Sequence, residues 1–338
     1  MLLKRGEAYI RSMAILERFR YLQRVFAAYV LRRQSQLTFW HDVPEVNENF
    51  EADRLGEYYM PFLAKADFPG VLDAQGIPML NYHGRQSLQY NPIAVAQYGL
   101  GNYNLFRRTG SGERRTRFLA VADWLVGNLE LNSSGLSVWN HNFDWEYRTK
   151  LLAPWFSGLA QGQGISVLAR AYAETGAEAY LETAHRAFEP FKVSVDEGGV
   201  AFVDGEGDTW IEEYIVSPPT HILNGFIWAS WGVHDYFLLT GSPEAKALFD
   251  SAVRTIADNL PKYDLRYWSL YEQSGTKLPM VASPFYHRLH ITQLRVMHQL
   301  TGEERFNACA DRWEGYLHSR FKRTVALFHK AIFKLFYY

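Results

Sequence analysis

The run Asp208 to Gly225, DTWIEEYIVSPPTHILNG, places Glu212, Glu213 and Tyr214 side by side. The Pro218-Pro219 pair forbids helix until an apolar helical pattern begins near Thr220. The acid–tyrosine cluster is therefore expected in a loop at the entrance to a helix, where rigid flanking elements hold side chains for chemistry. The same residues would suit an ordinary solvated loop, so the weight falls on what the rest of the chain brings there. Two further pairs carry reactive groups: Tyr263 with Arg266, and Tyr286 with His287. A glutamate, tyrosines and an arginine suit proton transfer at a carbon next to a carboxylate. Charge developing on that carboxylate needs a cation or strong donors, and the arginine fork matches it. A tyrosine of ordinary pKa, near ~10, needs a positive neighbour to act as a base at neutral pH. In a uronic acid the carbon is C5. Acid–base groups on its two faces would invert it, whereas one group serving both C5 and the leaving oxygen would eliminate.

Other chemistries find no pattern. His141 and His221 stand apart from further ligands, and His287 with His290 is an i,i+3 pair at a helix start that reads as a cap or core feature. The single cysteine, Cys309, allows neither an intrachain disulfide framework nor a cysteine metal site. There is no G-x-S-x-G, P-loop or dinucleotide fingerprint, so neither metal nor cofactor is expected. A net charge of −1 gives no global attraction to nucleic acid. No run approaches the ~20 apolar residues of a membrane span, and Arg5, Glu7, Arg11 and Glu17 interrupt any signal-peptide core. Aromatics are dense, at 16% of 338 residues, and such rings fill cores and stack on sugar faces.

Those groups must be held by elements that the chain announces by repetition. Thr-Gly recurs at 109–110, 175–176, 240–241 and 301–302, with glycines 66, 65 and 61 residues apart. Each Gly ends an apolar run, as a left-handed residue just past a helix does, and a short polar step opens a second run. First helices are expected near 92–108, 157–174, 220–239 and 286–300, and second helices near 112–130, 177–190, 243–259 and 303–319. The first helices, as in AQYGLGNY, LAQGQGIS and NGFIWASWG, are apolar or small on most sides and so are expected to be buried. The fold class expected is mainly α: an (α/α) toroid of about four helical hairpins over residues 91–319. An N-terminal helix over 1–35, a short hairpin-rich β or irregular segment over 36–90 and a C-terminal amphipathic helix over 320–338 complete it. The linkers between hairpins carry Pro92, Pro154, Pro218-Pro219 and Pro284 and are rich in Tyr, Trp, His, Arg and Glu. They must emerge at one end of the ring, so the chemistry is expected at one mouth.

Several of these motifs coincide with a known family. W-x-E-E-Y followed by S/T-P and LNGF, the YDLR run, Y-H-x-x-H-I-x-Q-L, and AQYGL with AQGQ-x-IS resemble, in the same order over about residues 80 to 315, the C-terminal region of D-glucuronyl C5-epimerases. The resemblance implies a helical α/α barrel, no redox cofactor, a homodimer, and reversible inversion at C5 of glucuronate in an acidic, heparosan-like polysaccharide. By position it implies Glu213, Tyr214 and Tyr286 as catalytic residues and Tyr263 with Arg266 as the pair that binds the uronate. Arg85, Tyr90, Trp145, Asn224 and His287 complete the expected substrate-binding set.

A polysaccharide lyase, abstracting the same proton, and a glycan-binding protein without activity are the competing readings. A glycoside hydrolase would need two carboxylates across a sugar; Glu212 and Glu213 are adjacent, so Asp144 or Glu146 would have to join one of them. The tail RFKRTVALFHKAIFKLFYY is basic and amphipathic, as is the N-terminal helix. These admit peripheral contact with an anionic membrane surface, or packing on the toroid or in a dimer. The expected location is cytoplasmic, with that peripheral contact.

Overall fold

The computed structural model describes residues 39–40, 43–82, 87–145, 147 and 150–337. The N-terminal helix expected over 1–35, Arg85 and Glu146 lie outside them. After a short turn of helix, α1 (Leu63–Ala66), the four expected hairpins follow. Their first helices are α2 (Pro92–Thr109), α4 (Gly158–Thr175), α6 (Leu223–Thr240) and α8 (Pro284–Thr301); their second helices are α3 (Gly112–Gly127), α5 (Glu178–Phe188), α7 (Pro243–Asn259) and α9 (Glu304–His318). A last helix, α10, runs from Arg320 to Tyr337. The first helices are buried along most of their length and form the inner layer, while the second helices bury one face and form the outer layer.

Local chemistry fixes where each helix begins and ends. Asn91, Ser157 and Ser283 cap α2, α4 and α8 by accepting from backbone amides of the first turn, and Pro92 and Pro284 occupy first-turn positions that need no amide hydrogen. Gly110, Gly176, Gly241 and Gly302 close the inner helices at φ of 69°, 69°, 68° and 70°. The threonine before each glycine does two things. Its hydroxyl donates to the carbonyl four residues back, at 2.6–2.8 Å, and accepts from the amide two residues on, at 3.2–3.3 Å. The repeated Thr-Gly is thus a complete turn, and it stitches each inner helix to its outer partner.

That end of the toroid is sealed. Residues 43–62 run across it and join the first inner helix to the last: Asn104 on α2 accepts from the Tyr58 amide at 2.7 Å and donates to Met60 O at 2.9 Å, while Thr292 on α8 donates to Pro44 O at 3.1 Å. At its centre Arg170 on α4 meets Asp235 on α6 at 2.7 Å, Arg170 donates to Gly56 O, and the Tyr59 hydroxyl donates to Asp235. The other end carries the long linkers, and the first three hold small antiparallel sheets, while the linker before α8 holds only isolated bridges. β1 (Val71–Leu72), β2 (Pro78–Asn81) and β3 (Leu88–Gln89) precede α2; β4 (Leu129–Leu131) pairs with β5 (Ser137–Trp139) before α4; β6 (Ala201–Val203) pairs with β7 (Thr209–Ile211) before α6.

One close helix crossing in the inner layer is made by glycine. A Cβ at Gly232 on α6 would stand 2.2 Å from the Gly162 carbonyl oxygen, and one at Gly162 on α4 would stand 2.6 Å from Ala229 Cα. Backbone cannot yield as a side chain does, so Gly232→Ala is expected to destabilise the protein by about 1–3 kcal/mol. Gly315 lies inside α9 with open space beyond its Cα, and Gly315→Ala is expected to stabilise by about 0.5–1 kcal/mol. Urea unfolding of both variants checks the pair; equal effects would show that the crossing tolerates a methyl group.

Candidate active site

The β6–β7 hairpin delivers Glu212 and Glu213 to the mouth. Phe202 pairs with Trp210 and Ala201 with Ile211; the Glu212 amide then donates to Val200 O at 2.8 Å, and its carbonyl accepts from Gly158 at the start of α4. Consecutive side chains on an extended chain point to opposite sides, so the two carboxylates part company. Glu212 turns into the wall. It accepts from the Thr220 and His221 amides at 3.3 and 3.1 Å and meets His221 Nδ1 at 2.5 Å, while the His221 ring stacks on Trp210. Glu212 therefore shapes the loop leading into α6.

Glu213 turns the other way and is 4% exposed. Asn224 Nδ2 donates to its Oε2 at 3.4 Å, and Gln293 on α8 donates to the Asn224 carbonyl at 3.0 Å. Gly225 presses on the carboxyl so closely that a Cβ there would stand 2.1 Å from Oε2. Burial pushes the Glu213 pKa up to about 8; a hydrogen bond with Tyr214 pulls the other way, and the Glu212 charge adds to the rise.

Tyr214 lies against Tyr147 and Trp155, edge-on, with ring centroids 4.8 and 5.6 Å apart. Trp155 stacks on His141 at 3.8 Å and meets Phe143 edge-on, and Phe143 packs at 4.4 Å against Tyr82, whose ring also meets Trp145. Tyr286 occupies the first turn of α8, its amide held by Ser283, its ring edge-on to Tyr271 at 4.8 Å. Burial, and after it the Glu213 charge, hold the Tyr286 phenol above its ordinary value, so it keeps its proton. The mouth thus joins a buried carboxyl, two phenols that it influences and an aromatic wall.

The expected residues divide accordingly. Glu213, Tyr214, Tyr286 and Asn224 come together, and Trp145 stands half-buried on the aromatic wall. Tyr263 does not face the mouth: it is 0% exposed and donates to His221 O at 2.5 Å, supporting the Glu212 loop from behind. His287 also belongs to the core. One residue on from Tyr286 it points about 100° round the helix, stacks on Trp268 at 3.9 Å, and bonds Ser269 Oγ and Trp313 O; burial pushes its pKa down to about 3. Tyr90 donates to Asp73 at 2.6 Å and packs on Trp124 of α3, beside a shallow cleft lined by Asn128, Glu130 and Asn140. Arg266 is exposed on a left-handed turn (φ 63°) whose Asp264 is held by Arg312 of α9; the Arg266 carbonyl accepts from Lys322 of α10. Its guanidinium makes no hydrogen bond or ion pair among the described residues.

Sequence reading missed Tyr147, Tyr271 and Glu272. Tyr271-Glu272 repeats the acid–tyrosine adjacency of Glu213-Tyr214 in a linker already rich in such groups, which is the pattern that could have found it. No group of three or more His, Cys, Asp or Glu side chains among the described residues is placed to hold a metal ion.

Residues 133–315 match the family described as D-glucuronyl C5-epimerase C-terminus. The chain is 34% identical over 220 residues to the D-glucuronyl C5-epimerase of Caenorhabditis elegans, covering 60% of this chain and 35% of that protein. It is 31% identical over 198 residues to an uncharacterized protein of Methanocaldococcus jannaschii, covering 58% of this chain and 63% of that one. The chain therefore spans about a third of the worm protein and less than two thirds of the archaeal one. Among solved structures, cellobiose 2-epimerase from Spirochaeta thermophila shares the fold at a TM-score of 0.50 and 14% identity, over 75% of this chain and 65% of that one.

The raised Glu213 pKa has a consequence for stability. Between about pH 4.5 and 8 the folded protein keeps this proton while the unfolded chain releases it, so stability falls as pH rises across that window. Glu213→Gln removes the penalty. The variant is expected to gain on the wild type progressively from pH 4.5 to 8, at most on the order of 1.4 kcal/mol per pH unit, and to gain no more above. Urea unfolding at pH 5 and pH 8 measures it; a gap independent of pH would mean that Glu213 ionises as freely as in the unfolded chain.

Proposed function

The chain belongs to the D-glucuronyl C5-epimerase C-terminal family, and from that premise we propose that it inverts C5 of glucuronate in a heparosan-like acidic polysaccharide. The observation that supports this reading most directly is the buried Glu213 carboxyl, bonded to Tyr214 on one side and acting on the Tyr286 phenol on the other.

In the proposed reaction Tyr214 and Tyr286 address opposite faces of C5. With Glu213 ionised, Tyr214 takes the C5 proton as its own phenolic proton passes to Glu213. The electron pair of the broken C–H bond moves onto the substrate carboxylate. Tyr286 then delivers its proton to the other face of C5 and becomes a phenolate, and solvent returns both groups to their starting states. The raised pKa keeps Tyr286 protonated and so available to donate, and the value near 8 for Glu213 makes it an acceptor that is reset near neutral pH. The Arg266 fork, open to solvent, is the proposed clamp for the uronate carboxylate. Trp145, Tyr82 and Trp155 offer ring faces and edges to the sugars. Two distinct phenols favour inversion over elimination, which needs no donor on the second face. A homodimer and peripheral membrane contact remain part of the proposal, with exposed Phe321, Phe328 and Phe336 on α10 as the apolar face either would use. No described helix is long and apolar enough to cross a membrane.

Incubation with heparosan and with its N-sulfated form in deuterated water, followed by NMR, tests the reading. Deuterium at C5 with new iduronate signals is expected, at a rate that climbs as Glu213 ionises toward about pH 8. Tyr286→Phe is expected to slow inversion by about 10²–10⁴-fold. Unsaturated uronate signals would replace inversion by elimination, and absence of exchange from both polymers would overturn the proposal.

A further inference from the structure

Helix α10 follows the stretch that matches the family, yet it reaches the mouth. Lys330 is buried, and its Nζ donates to Val281 O at 2.6 Å. Its charge and that of the buried Glu272 act on each other, and Lys334, one turn along α10, joins them. Glu272 accepts a short hydrogen bond from the Tyr147 hydroxyl, and the Tyr147 ring stands edge-on to Tyr214 at 4.8 Å. A series of contacts therefore runs Glu272, Tyr147, Tyr214, Glu213, with the Lys330 charge acting on Glu272 at its start.

Glu272 and Lys330 are both buried, and the hydrogen bonds of Glu272 with Tyr147 and of Lys330 with Val281 O fix where each sits. Tyr147 belongs to an irregular linker whose ring orientation no helix or sheet dictates. Its hydroxyl, anchored on Glu272, fixes that ring, and the ring limits how Tyr214 can turn.

We propose that Lys330, Glu272 and Tyr147 are positioning residues that aim the Tyr214 phenol, so that α10 is a working part of the active site. The proposal rests on reading Tyr214 as the group that meets C5.

Exchange of the C5 proton measured on Tyr147→Phe, which removes one oxygen and keeps the ring, tests it. A kcat about ten- to a hundredfold lower with KM within about twofold is expected, and adding Glu272→Gln should cost little more than the worse single change. Lys330→Met should lose as much, and Lys330→Arg should recover most of it. Wild-type kcat in Tyr147→Phe, or a loss confined to KM, would overturn the relay. A readout free of turnover is the Tyr214 resonance in protein carrying 13Cζ-labelled tyrosine. It should move in Lys330→Met and in Tyr147→Phe, and a Tyr214 line unmoved in both would overturn the proposal. A wild-type protein without exchange would remove the epimerase reading, while the Tyr214 resonance would still decide the relay.

Discussion

A carboxyl group taken out of water must find partners or keep its proton. Glu213 is placed under that constraint, and the surrounding architecture serves to keep it there. Gly225 lets the α6 backbone approach, Asn224 offers one long hydrogen bond, and Gln293 holds Asn224 in place. The neighbouring Glu212 is diverted to two amides and His221, so it brings Glu213 a like charge and no proton donor. What remains is a group whose protonation the substrate and two tyrosines can change.

The two ends of the toroid divide stability from chemistry. At the Thr-Gly end the loops are short, residues 43–62 lie across the inner helices, and the buried Arg170–Asp235 pair has its charges matched and its hydrogens placed. At the other end the linkers are long, carry small sheets and bring in the aromatic wall. A mouth made of linkers can be varied without disturbing the inner helices, which is how one fold comes to serve many chemistries.

The helical hairpins were legible because their determinants are local. Thr-Gly marks four helix ends that the structure places at Thr109, Thr175, Thr240 and Thr301, and Pro92 and Pro284 mark two starts. That the linkers share one mouth followed from the repeat. Which side chain of each linker faces inward did not follow. His287 is one residue from Tyr286 and lies in the core, and Tyr263, read as a substrate contact from its motif, instead props the Glu212 loop. Such orientations depend on packing between helices distant in sequence. Tyr147 and Glu272 meet across 125 positions, and no spacing rule encodes such a meeting.

Two acid–tyrosine pairs therefore share the mouth, and their surroundings assign them different work. Burial raises both carboxyls, Glu213 to about 8 and Glu272 to about 7. Beyond burial, Glu272 has a hydrogen bond from Ser274 and the charges of Lys330 and Lys334 to favour its ionised form, whereas Glu213 has the Tyr214 hydrogen bond, one long bond from Asn224 and, among the described residues, no cation on that side, with the charge of Glu212 against it. The charges of Lys330 and Lys334 favour the ionised Glu272 that accepts from Tyr147, which suits an anchor. A carboxyl left without a cation changes state when the groups beside it do, which suits proton transfer. The lysines that act on Glu272 come from α10, so the last helix, and not only the acid–tyrosine motif, makes the surroundings of the two carboxyls differ.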